Sequence, residues 1–165
     1  MALSAGDHVV GLMSDEATER AECSGIGAAR EDAYRSPAAK ARAEVLSFEV
    51  IGAALEVHNQ VGPGLLESVY RDCLVEEFRE RRIPYRQEVI LPTVYKGLRL
   101  SSKMRIDLLV GDLVVVELKS VQFLDRTHLL QLLSYLRMSD RWLGLLVNFN
   151  TDRLAKGLRR LLNGY

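Results

Sequence analysis

An apolar run that ends in charged residues constrains the fold of this chain more than any other feature. Three valines at 114–116 are followed by Glu117, Leu118 and Lys119, and Asp107 lies ten residues before Glu117. A run of β-branched residues favours a strand that is buried on both faces. Alternate residues share a face, so Glu117 and Lys119 point to the same side. Charged groups on a buried strand must pair or take part in chemistry.

The turn before this strand decides whether the two acids can meet. If Gly111 and Asp112 form a two-residue hairpin, Asp107 lies opposite Val116 and points away from Glu117. A loop of odd length, or a bulge with Gly111 in a left-handed conformation, places both carboxylates on one face. We predict this irregularity.

The two acids and the lysine have a chemical and a structural interpretation. Carboxylates are the usual hard ligands of Mg²⁺, and a nearby lysine can orient water or bind a phosphate. The alternative is an edge strand with a Glu117–Lys119 surface pair. The three valines argue against that alternative, because both faces of the strand are apolar until Glu117.

Three further polar side chains lie on predicted helices. Glu67 is in line with Tyr70 and Leu74 at helical spacing, so it is either a first-turn glutamate favoured by the helix dipole or part of a site. Gln131 and Tyr135 share a helical face. They can contact phosphate or brace a carboxylate, but Tyr135 also suits a partly buried aromatic position.

Other candidates have weaker patterns. Arg99, Lys103 and Arg105 lead into Asp107 and suit either a phosphate backbone or a solvated charged face. His58 and His128 are not in a spacing typical of metal ligands or general bases, so we expect helix-terminal or core histidines.

The elements predict an α/β protein in the order α-α-β-β-β-α-β-α. Residues 1–43 are rich in Ala, Gly, Ser and charge, which is typical of a weakly ordered N-terminal extension; residues 44–165 form the predicted domain. A last helix is expected after a cap at Asn150 or Thr151. The other helices are expected near 44–58, 65–82 and 126–139, and the strands near 85–96, 103–110, 113–120 and 142–149.

Charge and cysteine content indicate which partners and which cellular compartment suit the protein. The chain has 22 basic and 22 acidic residues, so only a local basic cleft could attract nucleic acid. Cys23 and Cys73 lack metal-ligand spacing, which favours reduced thiols in a cytoplasmic protein. No apolar run approaches the roughly 20 residues that cross a bilayer, so no membrane partner is expected.

Eight short motifs together resemble the GxxExxY family, which is similar to the PD-(D/E)xK nuclease superfamily. The resemblance covers about residues 45–162. The motifs occur in this order: Val57-His58, Gly62-Pro63-Gly64, Leu66 to Tyr70, Tyr95-Lys96-Gly97, Asp107 to Val110, Val116 to Lys119, Gln131 to Tyr135, and Gly144 to Phe149.

The resemblance implies a restriction-endonuclease-like fold, a mixed central sheet flanked by helices. It makes Asp107 the acid of the "PD" element, with Ile106 in the place of proline at a position that carries no ligand. Glu117 and Lys119 form the "ExK" element, and Glu67 is the acid of the first core helix. Gln131 and Tyr135 resemble the Q-x-x-x-Y element of RecB-type nucleases, in a supporting or substrate-binding role.

The sequence therefore predicts a Mg²⁺-dependent phosphodiesterase, with Mn²⁺ as the alternative ion, acting on DNA or RNA. The expected metal ligands are Asp107, Glu117, the carbonyl of Leu118 and Glu67. One alternative is a non-catalytic nuclease-like module that binds nucleic acid or a protein partner. Another is a purely structural protein, in which Glu117 and Lys119 are exposed or paired away from Asp107 and Glu67. A homo-oligomer is left open.

Overall fold

The computed structural model describes residues 34–164 and begins with two helices. Helix α1, Pro37–Val61, starts after Ser36, whose hydroxyl accepts a hydrogen bond from the Ala39 amide at 3.2 Å. Serine followed by proline is a typical helix start, and it places the helix N-terminus before the predicted position 44. Residues 37–43 are therefore helical, while residues 1–33 of the predicted extension lie outside the described residues. Helix α2, Glu67–Glu80, matches the second predicted helix.

A five-stranded mixed sheet forms the centre of the domain, with its strands in the spatial order β1-β2-β3-β4-β5. Strands β3 and β4 are parallel and helix α3, Arg126–Met138, connects them; the other neighbouring strands are antiparallel. This is the restriction-endonuclease-like α/β architecture that the sequence predicted. The strands are β1 Tyr85–Tyr95, β2 Leu98–Val110, β3 Val114–Lys119, β4 Leu143–Asn148 and β5 Leu158–Leu162.

The predicted last helix is present but begins after Arg153, later than the expected cap at Asn150 or Thr151, and the strand that follows it was not predicted. Helix α4, Leu154–Gly157, has only four residues and no side-chain cap, and β5 follows it directly. Strand β5 pairs with β4 from Leu143–Leu162 to Val147–Leu158. This pairing satisfies the free edge of a fully buried strand, which explains why tertiary contacts override the local preference for a helix.

Strand β2 is also longer than predicted, since it begins at Leu98 and not near 103. Its first residues pair with β1 alone, from Tyr95–Leu98 inward. Residues 98–103 are all exposed, including Leu98 and Leu100, so this part of the strand has no buried apolar face that would indicate it in the sequence.

The core consists of two apolar clusters, one on each face of the sheet. Helices α1 and α2 cover the larger one, where Tyr70 and Phe78 are fully buried. Helix α3 covers the smaller one, in which Leu132 packs against β4. Gly144 on β4 permits this contact, because a Cβ atom there would lie 2.8 Å from a methyl carbon of Leu132. The close packing fixes α3 over the half of the sheet that carries Asp107 and Glu117.

Candidate active site

The loop between β2 and β3 contains three residues, Gly111 to Leu113. The strand register pairs Leu108 with Val116 and Val110 with Val114. Gly111 has a φ of +58°, and a Cβ atom there would lie 2.5 Å from the Leu46 side chain. The predicted odd-length loop with a left-handed Gly111 is confirmed.

The β2–β3 ladder ends at the pair Leu108–Val116, and Asp107 and Glu117 are the next residues beyond it on the two strands. The negative charge of Asp107 acts on Glu117, so the two side chains lie near each other at this end of the ladder. Both side chains are buried, with 9% of Asp107 and 2% of Glu117 exposed. Two buried carboxylates thus meet at the end of the apolar strand β3.

Each carboxylate makes one hydrogen bond with β3. Asp107 Oδ2 accepts from the Leu118 amide at 2.9 Å, and Glu117 Oε1 accepts from Lys119 Nζ at 2.6 Å. The second oxygen of Glu117, Oε2, is buried and has no hydrogen-bond partner among residues 34–164. A buried oxygen without a partner is costly, so it marks a place where a ligand is expected.

Burial and mutual repulsion perturb the acids. Burial, followed by the negative charge of Asp107, raises the pKa of Glu117 to about 7, although the Lys119 ammonium opposes this shift. Burial disfavours the charged form of Lys119, but its hydrogen bond to Glu117 and the charges of Glu117, Glu67 and Asp107 together raise its pKa. Lys119 therefore remains an ammonium, and Glu117 is the group that titrates near neutral pH.

Glu67 is the first residue of α2 and lies at the border of this cluster. Burial raises its pKa, and it interacts electrostatically with Lys119 and Asp107. Tyr70, one turn later, donates a hydrogen bond to the Gly62 carbonyl at 2.7 Å and accepts one from the Leu65 amide at 3.1 Å. The buried Tyr70 therefore fixes the loop that leads into Glu67.

Helix α3 supplies the other two predicted residues. Gln131 Nε2 donates to the Tyr135 hydroxyl at 3.0 Å, and burial raises the pKa of Tyr135. The Tyr135 hydroxyl interacts electrostatically with Glu117, Asp107 and Lys119. The structure thus places Tyr135 within the electrostatic influence of the acidic pair, and Gln131 is tied to it by this hydrogen bond.

The two histidines fill the expected structural positions. His58 is buried near the end of α1, where its Nε2 lies 2.8 Å from the Thr151 carbonyl. His128 is in the first turn of α3, where its Nδ1 accepts from the Asp125 amide at 3.1 Å.

Three positioning residues were not identified from the sequence. Asn148 is buried on β4, and its side-chain amide bonds both the amide and the carbonyl of Val121, at 3.0 and 2.8 Å. Ser120 donates to the Leu65 carbonyl at 2.6 Å, which joins the loop after Lys119 to the loop before Glu67. Arg141 donates to the Asp112 carbonyl at 2.6 Å and so holds the β2–β3 loop. Only the buried asparagine at the end of an apolar strand gave a usable signal.

The acids do not form a complete metal-ligand cluster by themselves. Among residues 34–164, no group of three or more His, Cys, Asp or Glu side chains is arranged to hold a metal ion. The predicted ligand set of Glu67, Asp107 and Glu117 is therefore not assembled as three converging carboxylates. One oxygen of Glu117 is engaged by Lys119 and one oxygen of Asp107 by the Leu118 amide.

The pair of acids nevertheless fits a hard divalent cation. Mg²⁺ commonly binds through one or two carboxylates and keeps several waters. Glu117 offers a buried oxygen without a partner, and the negative charges of Asp107 and Glu67 lie close by. The charge of Lys119 alone does not balance three carboxylates.

Comparison with known protein families shows where the chain belongs. A sequence model of the PD-(D/E)XK nuclease superfamily matches residues 44–161, which is most of the chain. Neither the curated proteins nor the solved structures gave a match. No helix within residues 34–164 is long and apolar enough to cross a membrane.

Proposed function

The chain belongs to the PD-(D/E)XK nuclease superfamily, and from this premise we propose that it is a Mg²⁺-dependent nuclease that hydrolyses phosphodiester bonds of DNA or RNA. Mn²⁺ is the alternative ion. The observation that carries the proposal is the buried Glu117, which has one oxygen without a partner among residues 34–164 and lies within the electrostatic influence of Asp107. A cytoplasmic location and the finer resemblance to the GxxExxY family belong to the same proposal.

Asp107, Glu117 and the Leu118 carbonyl are the proposed metal ligands, and Glu67 completes the set directly or through water. The Leu118 amide already points to Asp107. On a strand, the amide and carbonyl of one residue face the same neighbouring strand, so the Leu118 carbonyl is directed toward β2 as well. When bound, a divalent cation supplies charge that neutralises a phosphate and acidifies a water.

Lys119 is proposed to act as a charged hydrogen-bond donor. Its ammonium is 2.6 Å from Glu117 Oε1 and stays charged at neutral pH, so it does not act as a general base in this state. It can donate to the attacking water or to a phosphate oxygen. We assign Tyr135, whose hydroxyl accepts a hydrogen bond from Gln131, the role of supporting this arrangement or contacting the substrate.

The test is cleavage of labelled single- and double-stranded DNA and RNA by the purified full chain with Mg²⁺ or Mn²⁺. Glu117→Ala and Lys119→Ala are compared with Glu49→Ala and Lys156→Ala, which remove the same residue types at exposed positions. We expect cleavage by the wild type and both controls, and none by the two site variants. Wild-type cleavage by either site variant would refute the assigned roles.

One observation favours a second function, a nuclease-like module that binds nucleic acid or a protein partner without cutting it. The three acids do not converge as a metal-ligand cluster, and Lys119 occupies one oxygen of Glu117. This function predicts no cleavage on any substrate while binding persists. The purely structural alternative requires Glu117 and Lys119 to lie away from Asp107 and Glu67. They are paired with each other, but within the electrostatic influence of both acids.

A further inference from the structure

We propose that the distal part of the β1–β2 hairpin, residues 89–105, is a DNA-binding arm that docks in the major groove of a duplex. We call this segment the basic arm. The inference deepens the proposed function, on which it rests for the choice of nucleic acid as partner.

The basic arm extends beyond the rest of the sheet. Strand β2 pairs with β3 only through residues 108–110, so residues 98–107 have β1 as their neighbour and no ladder partner on the other side within residues 34–164. Within the arm, residues 98–105 of β2 are eight residues long and span about 27 Å at roughly 3.4 Å per residue. The arm is therefore a long two-stranded ribbon.

The charged side chains of the basic arm are all positive. Residues 89–105 contain four basic residues and no acidic residue, in a chain whose basic and acidic residues balance. The four are Lys96, Arg99, Lys103 and Arg105, and all of them are exposed.

Two of these cations lie on the same face of the ribbon. The register pairs Arg105 with Ile90 and Lys103 with Pro92, and alternate residues of a strand share a face. Arg99 pairs with Val94 beyond a register shift and adds a third exposed cation farther along the arm.

The opposite face of the arm packs against the domain. Near the base of the arm, Val89, Leu91 and Met104 pack against the cluster under α3. The inner face therefore anchors the arm to the domain, while the outer face presents cations and aliphatic side chains to solvent.

The nearest acid does not neutralise this face. Glu88, just outside the arm, forms ion pairs with Arg105 at 3.2 Å and with Arg71 at 3.4 Å. Both contacts are exposed pairs, and such pairs contribute little and exchange readily for other partners. Arg105 is thus available to a phosphate.

The shape of the arm favours DNA over RNA. The major groove of B-form DNA, roughly 12 Å wide, admits a two-stranded ribbon, whereas the A-form RNA groove is too narrow. Cations on the outer face can contact phosphates, and the aliphatic residues between them suit thymine methyl groups. The arm leads directly into Asp107, so a duplex held by it lies beside the proposed active site.

The test is binding, measured in EDTA so that cleavage does not contribute. Fluorescence anisotropy of a labelled 20-base-pair DNA duplex is recorded with the full chain and with the Arg99→Gln/Lys103→Gln variant. The Arg159→Gln/Arg160→Gln variant is the matched control, since it removes the same charge from β5 at the opposite edge of the sheet. An RNA duplex of equal length is measured in parallel, and size-exclusion chromatography reports the oligomeric state.

We expect the arm variant to bind DNA at least tenfold more weakly and its salt dependence to fall by about two phosphate contacts. The control should change less than threefold, and the RNA duplex should bind more weakly than DNA. Equal losses in both variants, equal or tighter RNA binding, or an arm variant that changes only the oligomeric state would overturn the proposal. Because binding is measured in EDTA, a loss of binding in the arm variant tests the arm alone, whereas absent cleavage with Mg²⁺ and intact binding in EDTA would count against the proposed nuclease only.

Discussion

Replacing Glu117 by glutamine should stabilise the protein at alkaline pH in the absence of metal. Burial and Asp107 raise the pKa of Glu117 from 4.5 to about 7. One pKa unit corresponds to about 1.4 kcal/mol, so ionised Glu117 costs the folded protein about 3 kcal/mol relative to the unfolded chain. Glutamine keeps the shape and an acceptor oxygen for Lys119 but carries no charge.

The sign of the pH effect follows from the protons bound. Between about pH 4.5 and 7, the folded protein keeps the Glu117 proton and the unfolded chain has released it. The free energy of unfolding therefore falls as pH rises through this window, and the contribution is lost above pH 7. The glutamine variant lacks this term at every pH.

Urea denaturation in EDTA at pH 8 and pH 5 measures the difference. We expect Glu117→Gln to exceed the wild type by about 3 kcal/mol at pH 8 and by about 1 kcal/mol at pH 5. The exposed Glu49→Gln serves as the control and should change neither value appreciably. A glutamine variant that is less stable than wild type at pH 8, or equally shifted at both pH values, would refute this electrostatic explanation.

Three further predictions concern the loops and the metal. Gly111→Ala should lower the free energy of unfolding by about 2–4 kcal/mol, because the new methyl group is strained at a left-handed φ and overpacks against Leu46. Gly97 also has a positive φ but open space around it, so Gly97→Ala should lower the free energy of unfolding by only about 1–2 kcal/mol. Urea denaturation of both variants checks this, and equal losses would contradict it. Tyr70→Phe should cost about 1–2 kcal/mol through two lost hydrogen bonds, measured in the same way, and a neutral result would show that the loop does not depend on them. Mg²⁺ affinity, measured by calorimetry, should fall about tenfold per pH unit below pH 7, because the ion competes with the Glu117 proton; an affinity independent of pH would exclude Glu117 as a ligand.

Local patterns predicted the elements that carry the site. The valine run and the face shared by Glu117 and Lys119 identified β3, and helical spacing identified α2 and α3. The sequence also predicted an odd-length loop or a bulge between β2 and β3 in place of a two-residue hairpin, and the structure has a three-residue loop. That choice depends on Gly111 packing against α1 and on Arg141 holding the loop carbonyl, which are contacts distant in sequence.

The parts that were not predicted depend on pairing between distant segments. Strand β5 forms because β4 presents an open edge, and residues 98–102 of β2 form a strand because β1 lies beside them. The start of α1 was different, since Ser36 and Pro37 carried a usable helix-start signal. The free oxygen of Glu117 was not predicted either, because burial and hydrogen bonding depend on the folded structure and not on the order of residues in the sequence.

The most direct test of a metal-dependent nuclease site is the rate of nucleic acid cleavage as a function of Mg²⁺ concentration, for the wild type and for Asp107→Asn. Asparagine can still accept the hydrogen bond from the Leu118 amide, so the variant removes the charge of Asp107 while retaining this contact. We predict that wild-type cleavage rises with Mg²⁺ and stops in EDTA, and that Asp107→Asn does not cleave. Equal rates for the two proteins, or wild-type cleavage that persists in EDTA, would contradict the proposed site.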